Sequence, residues 1–187
     1  TLLEIYNNGW DESIAGNNDK GSTHSYISVY EKMFEPYRNT AKRFLEIGVA
    51  QGYSLRMWRE YFPVTCEVQG IDIDKTELCD STLDVSYGDS KNKDEWLWCD
   101  NYDIIIDDGD HTFEGQIETA QVWIPKLNKN GLYIIEDVSG FNSHMYGQLL
   151  FDINRLDLTV DILDMRYVKD RYDDMLVVFS EKGVDHV

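Results

Sequence analysis

The chain has 187 residues, 42% of them hydrophobic and 13% aromatic, with 35 Asp and Glu against 17 Lys and Arg for a formal net charge of −18. That length fits one domain able to bury a real core, and the apolar content excludes a disordered polyanion. The charge argues against nucleic acid as a partner, because most of the surface would repel phosphate, and otherwise serves solubility.

Up to Gly21 the chain is polar and rich in Asn and Gly, and SYISVYEKMFEPYR then predicts a helix that Pro36 ends or kinks. Residues 1–40 are expected to form an N-terminal helical cap on a domain spanning 41–187. From residue 43 onward, β-rich runs alternate with amphipathic segments. The runs RFLEIGV, CEVQGIDI, LDVSYGD, YDIIIDD, GLYIIEDV, LTVDILDM and MLVVFS predict strands, several apolar throughout, as suits strands covered on both faces. QGYSLRMWREYF, with Leu55, Trp58 and Tyr61 or Phe62 at helical spacing, FEGQIETAQVWIPKL and HMYGQLLFDINRL predict helices. Strand and helix in regular order give an α/β fold built on a doubly wound, mostly parallel sheet with helices on both faces.

Cys66, Cys79 and Cys99 are widely spaced and odd in number, forming neither a metal knuckle nor a disulfide framework, so a reduced, cytoplasmic setting is expected. No apolar run approaches the ~20 residues of a membrane helix and no signal-peptide pattern opens the chain, so no membrane association is expected.

In open α/β sheets ligands bind outside the carboxyl ends of the strands, and acids and glycines recur at five such ends. In FLEIGVAQG, Gly48 and Gly52 allow close approach of backbone to a ligand, while Glu46 puts an anion where a phosphate would otherwise sit. The full G-x-G-x-x-G is absent, since Ala50 and Ser54 break it. In GIDID, Asp72 is placed to accept from two ribose hydroxyls of a nicotinamide cofactor or S-adenosylmethionine, or else caps the next helix. In YGDS, Asp89 could meet an adenine amino group or simply mark a turn. YDIIIDDGDH brings Asp107, Asp108, Asp110 and His111 together, and GLYIIEDV ends in Glu136 and Asp137. Asp107 closes its strand beside the cofactor, and Asp110 is a candidate cap for the following helix. Asp108, Glu136 and Asp137 would converge, and a hard divalent cation such as Mg²⁺, Mn²⁺ or Ca²⁺ would offset their repulsion; solvated strand-tip acids are the other reading. The imidazole of His111 could act as general base on a hydroxyl held there.

Taken together, FLEIGVAQGYSLRMW, GIDID, GDS, YDIIIDDGDH and NGLYIIEDV resemble the class I S-adenosylmethionine-dependent methyltransferases. They are most similar to the metal-dependent sugar O-methyltransferases of the macrocin and mycinamicin type and the cephalosporin hydroxylase-like group. NNDKGSTHSYISVYEKMFEPYR also resembles the segment that precedes the core in many relatives. The resemblance spans about residues 43 to 138 and implies a Rossmann-like, seven-stranded fold. It implies that Gly48 and Gly52 cradle the methionine portion of S-adenosylmethionine, with Glu46 near its amino group, Asp72 on the ribose and Asp89 on adenine. Asp108, Glu136 and Asp137 match the family's metal-binding acids and His111 its base, whereas Asp110 departs from the family's usual serine.

The expected function is therefore an S-adenosylmethionine- and Mg²⁺-dependent O-methyltransferase acting on a small-molecule hydroxyl acceptor, a sugar or other polyol of natural-product or surface-glycan biosynthesis, with a homo-oligomer open. An NAD(P)-dependent oxidoreductase, disfavoured by Glu46 and the broken glycine fingerprint, and a non-catalytic nucleotide- or metal-binding domain are the alternatives. Residues 18–30 are expected to close over the cofactor with Lys20, His24 and Tyr26 facing the site, or else to pack Tyr26, Tyr30 and Phe34 on the sheet.

Overall fold

A β-strand sends successive side chains to opposite faces, so the inner strands of this chain feed two cores. The computed structural model describes residues 1–8, 18–99, 101–139 and 145–182. Helix α1 (Leu2–Asn8), the single turn α2 (Asp19–Ser22) and helix α3 (Ile27–Phe34) precede β1 (Arg43–Ile47), α4 (Tyr53–Tyr61), β2 (Glu67–Asp72) and β3 (Asp84–Tyr87). After them come β4 (Tyr102–Asp107), α5 (Phe113–Trp123), β5 (Leu127–Ile135), α6 (Met145–Asp152), β6 (Leu158–Asp164), the turn α7 (Arg166–Lys169) and β7 (Met175–Glu181). The strands form one seven-stranded sheet in the order β3-β2-β1-β4-β5-β7-β6. β3 through β5 are parallel, and β7 runs antiparallel to both β5 and β6. No helix among the described residues is long and apolar enough to cross a membrane.

Leu45, Ile47, Ile105, Tyr133 and Ile135 face one core, filled by Trp96, Trp123 and Tyr146. Phe44, Ile104, Ile106, Leu132 and Ile134 face the other, where α3 and α4 contribute Tyr30, Phe34 and Trp58 and the residue before α3 contributes Tyr26. The N-terminal segment thus packs as a layer of the sheet. α1 forms where a polar stretch was expected, because Leu2, Ile5 and Tyr6 share one face and Leu2 is fully buried. The rest of that polar stretch, residues 9–17, lies outside the described residues, as does His144 at the start of HMYGQLLFDINRL.

Pro36 converts the end of α3 into a 3-10 turn, Glu35–Tyr37, and Pro125 does the same after α5 at Ile124–Lys126. Between β3 and β4 the described crossover carries only the 3-10 turn Lys93–Trp96, whose Trp96 fills the space of a helix. β5 begins at Leu127, earlier than its apolar run, since LNKN extends the strand beyond the part that packs.

Backbone bonds continue past the strands and align their tips. Gly48 N–H donates to the Ile71 carbonyl at 2.8 Å, Asp108 N–H to Ile47 at 2.8 Å, and Glu136 N–H to Asp107 at 2.9 Å. The residues after β1, β4 and β5 are therefore neighbours in space.

Candidate active site

The turn after β1 winds through positive φ at Gly48 (84°), Ala50 (47°) and Gly52 (84°). Glycine is required at the first of these, because a Cβ on Gly48 would collide with the Asp108 carbonyl oxygen. The turn aims the N–H groups of Val49 and Ala50 at Asp72 Oδ2, at 2.9 and 2.7 Å, and Asp74 N–H donates to Oδ1 at 2.8 Å. Asp72 thus ties the glycine turn to the tip of β2.

Beside this turn lies a cavity of about 530 Å³ whose walls include Gly48, Asp72, Asp89, Asp108 and His111. The N-terminal segment closes it with Asn18 and Asp19, two residues that sequence reasoning did not single out. Gly52, Glu46 and Asp107 are not in its walls. Gly52 instead leads into α4 with its own left-handed conformation. Glu46 is fully buried behind the turn, accepting from Ser54 Oγ at 2.9 Å and Trp58 Nε1 at 3.2 Å, and burial pushes its pKa up to about 7. Asp107 points to the opposite face of the sheet from Asp108 and is bonded by the Tyr133 hydroxyl at 2.8 Å; burial raises it to about 7.

The acids at the tips of β1, β4 and β5 share the face covered by the N-terminal segment, which supplies their counter-charge. The fully buried Lys20 ammonium lies 2.7 Å from Asp108 Oδ2, 2.8 Å from Glu136 Oε2 and 3.4 Å from Glu46 Oε1. Part of the offset expected from a divalent ion thus comes from the protein itself, from the segment expected to face the site and 88 residues away in sequence from Asp108. Burial opposes the charge on Lys20, but the three acids outweigh it and hold its pKa well above the ordinary value. One ammonium cannot neutralise three buried acids, so burial still raises the pKa values of Asp108 and Glu136.

Both readings of residues 18–30 hold at once: the rings of Tyr26 and Tyr30 pack in the core while their hydroxyls reach the site. Tyr30 donates to Glu136 Oε1 at 2.6 Å and Tyr26 to Asp137 Oδ1 at 2.7 Å. His24, buried and stacked on Tyr26, puts Nδ1 3.3 Å from Asp137 Oδ1. Asp137 itself is left-handed (φ 55°), a costly backbone for a non-glycine residue that turns its carboxylate back across the strand end.

Single ligand atoms of Asp108, His111 and Asp137 all lie within 4.8 Å of one another, while His111 stays half exposed at the rim. Glu136 is outside that trio, both of its oxygens being engaged by Lys20 and Tyr30. Asp110 is not the helix cap: Thr112 is, accepting from Gly115 N–H at 3.1 Å. Asp110 accepts from Thr112 N–H at 3.0 Å and Oγ1 at 2.8 Å and pairs with Lys91 at 3.1 Å, bonds that draw its pKa down to about 2.

The strand order and the site at the strand tips define a Rossmann-like methyltransferase fold. Over 87% of its length the chain superposes on 52% of the MycE methyltransferase from the mycinamycin biosynthetic pathway, in complex with Mg, SAH and mycinamycin VI, with TM-score 0.67 at 23% identity. A putative O-methyltransferase from Klebsiella pneumoniae matches over 97% of this chain and 94% of its own, with TM-score 0.65 at 14% identity. No protein-family model matches.

Among curated proteins, the chain's homologues are sugar O-methyltransferases of the macrocin and mycinamicin type. It is 35% identical to the 8-demethyl-8-alpha-L-rhamnosyl tetracenomycin-C 2'-O-methyltransferase of Streptomyces olivaceus over 64% of this chain and 35% of the relative. It is 34% identical to the mycinamicin VI 2''-O-methyltransferase of Micromonospora griseorubida over 63% and 32%, respectively. The chain spans about a third of the length of the curated relatives it matches.

Proposed function

We propose that the chain is an S-adenosylmethionine-dependent O-methyltransferase acting on a sugar or other polyol hydroxyl, with a hard divalent cation, Mg²⁺ first, at its acids. The observation that carries this is the convergence of Asp108, His111 and Asp137 at the rim of a cavity whose other wall holds Gly48, Asp72 and Asp89. The two carboxylates offer a hard ion the oxygen ligands it prefers and leave the imidazole beside it as a base, and two strand-tip acids spaced along a cleft suit a ribose and an adenine. The curated relatives support the sugar hydroxyl. The three free cysteines are in keeping with a cytoplasmic setting.

In this reading Gly48 and its turn hold the methionine portion, Asp72 the ribose and Asp89 the adenine end. Asp108 and Asp137 hold the ion, with Glu136 completing the acid cluster behind them. Glu46 acts from behind the wall through Ser54, Trp58 and Lys20, and Asp107 through Tyr133 and the Gly109 N–H. When bound, the ion supplies a Lewis acid for the acceptor oxygen and the cofactor supplies the electrophilic methyl group. His111, exposed at the rim, takes the hydroxyl proton, and the turn after β1 aligns acceptor and methyl for in-line displacement. Alignment of this kind contributes up to ~7 to 11 kcal/mol in favourable cases.

Calorimetry with S-adenosylmethionine against NAD is the first test, and binding of NAD alone would sink the reading. With methyl transfer to a glycoside established, His111→Ala should cost roughly 10² to 10⁴ in rate, and EDTA should abolish turnover until Mg²⁺ is restored. Methyl transfer that survives both treatments overturns the mechanism.

A further inference from the structure

We propose that Lys20 is the resident counter-cation of the acid cluster, a positioning residue that keeps Glu136 for itself so that the divalent ion binds on the cavity side through Asp108 and Asp137. The inference rests on the metal-assisted reading above and specifies which acids that ion meets.

Lys20 is held at its backbone, through its turn and at its ammonium. Its residue belongs to α2, whose cap Asn18 accepts from Lys20 N–H at 3.2 Å. The carbonyls around α2 are gathered by Lys169 Nζ, at 2.7 Å from Gly21 and 2.6 Å from His24. Its head then meets Asp108 and Glu136 at hydrogen-bond distance in a place with no solvent contact. An ammonium fixed there is not exchanged for water, so it is present before any ion arrives.

That position divides the acids. Glu136 is spent on protein: Lys20 on one oxygen, Tyr30 on the other, and its side chain 2% exposed. Asp108 gives Oδ2 to Lys20 but lines the cavity and is more open, at 14%. Asp137 has Oδ1 engaged by Tyr26 and keeps Oδ2 on the His111 side. A divalent ion approaching from the cavity thus meets Asp108 and Asp137, while the positive charge of Lys20 repels it from Glu136. The same repulsion weakens its binding, since part of the negative potential is already neutralised.

The test is Mn²⁺ binding to the full chain, followed by electron paramagnetic resonance without cofactor or acceptor. Lys20→Met should bind Mn²⁺ at least tenfold more tightly than the wild type, and Lys20→Met/Glu136→Gln should lose most of that gain. Mere damage to the fold would not tighten an ion, so a gain separates counter-charge from structural support. Wild-type crystals soaked in MnCl₂ should show the anomalous peak on Asp108 and Asp137 with Lys20 still bonded to Glu136, and this decides the matter if Lys20→Met does not fold. Unchanged or weaker Mn²⁺ binding in a folded Lys20→Met, or a wild-type ion ligated by Glu136, overturns this inference alone. Mn²⁺ bound by neither protein overturns the metal-dependent reading and this inference with it.

Discussion

Asp107 and Asp108 are adjacent in sequence and opposed in space, and their chemistry differs accordingly. The pleat turns Asp108 to the face of Lys20 and Asp107 to the face of Tyr133. Asp107 has no cation among its hydrogen-bond partners in the described residues; burial lifts its pKa from an ordinary 3.8 to about 7. Between those values the native state keeps a proton that the unfolded chain releases, so this group's stabilisation is full below about pH 4 and lost as pH rises through 7. Asp107→Asn keeps an acceptor for Tyr133 and removes the titration. The stability of the wild type relative to Asp107→Asn should therefore fall from pH 4 to pH 7, by up to ~1.4 kcal/mol per pH unit, in urea unfolding at a series of pH values. Parallel curves would show that Asp107 does not carry the shift. The period of two was legible in YDIIIDDGDH and separates the two acids; placing both beside the ligand overlooked it.

At the scale of elements, the turn after β1 and helix α6 use glycine in opposite ways. Gly48 carries a left-handed backbone against the Asp108 carbonyl, which belongs to the neighbouring strand end and cannot move aside. Gly48→Ala should lose about 3 kcal/mol or more in urea unfolding and disturb the cavity with it. Gly147, inside α6, is exposed, and a methyl group there would meet nothing within 4 Å among the described residues. Gly147→Ala should gain about 0.5 to 1 kcal/mol from helix propensity alone, seen as a raised midpoint in the same assay. The elements themselves were largely legible, because apolar runs and helical spacing report burial directly: YDIIIDD and MLVVFS became β4 and β7. What escaped was set by packing. LLEIY reads as a short fragment until Leu2 finds the core of α3 and α4, and polar LNKN joins β5 only because Tyr102 of β4 pairs with Leu127.

Over the whole molecule, the site depends on segments that come from both ends of the chain. Alternating strands and helices made the doubly wound sheet legible, but no local pattern shows that Lys20 ends among acids at three strand tips, because that pairing exists only once the sheet has formed. The same holds for Lys169, which reaches from α7 to the carbonyls of Gly21, Ser22 and His24, 145 to 148 residues away in sequence. The link has a direct consequence for dynamics. The backbone bonds of residues 18–24 close mostly within their own turn, so side chains tie the segment over the cavity, the Lys169 ammonium and the buried Lys20 among them, beside Asn18 on Met57 and His24 at Asp137. Lys169→Met leaves the sheet untouched and removes the outer of these two anchors. Charged hydrogen bonds contribute roughly 1.5 to 3 kcal/mol when sheltered, and the exposure of Lys169 brings its share to about 1 kcal/mol. Amide exchange at Thr23, His24 and Tyr26 should accelerate about fivefold in Lys169→Met while β1, β4 and β5 keep their protection. Because Asn18 and Asp19 form part of the cavity wall, cofactor affinity should fall in the same variant. Faster exchange throughout the sheet would mean that Lys169 supports the fold as a whole, and unchanged exchange at all three amides would mean that the other contacts hold the segment without Lys169.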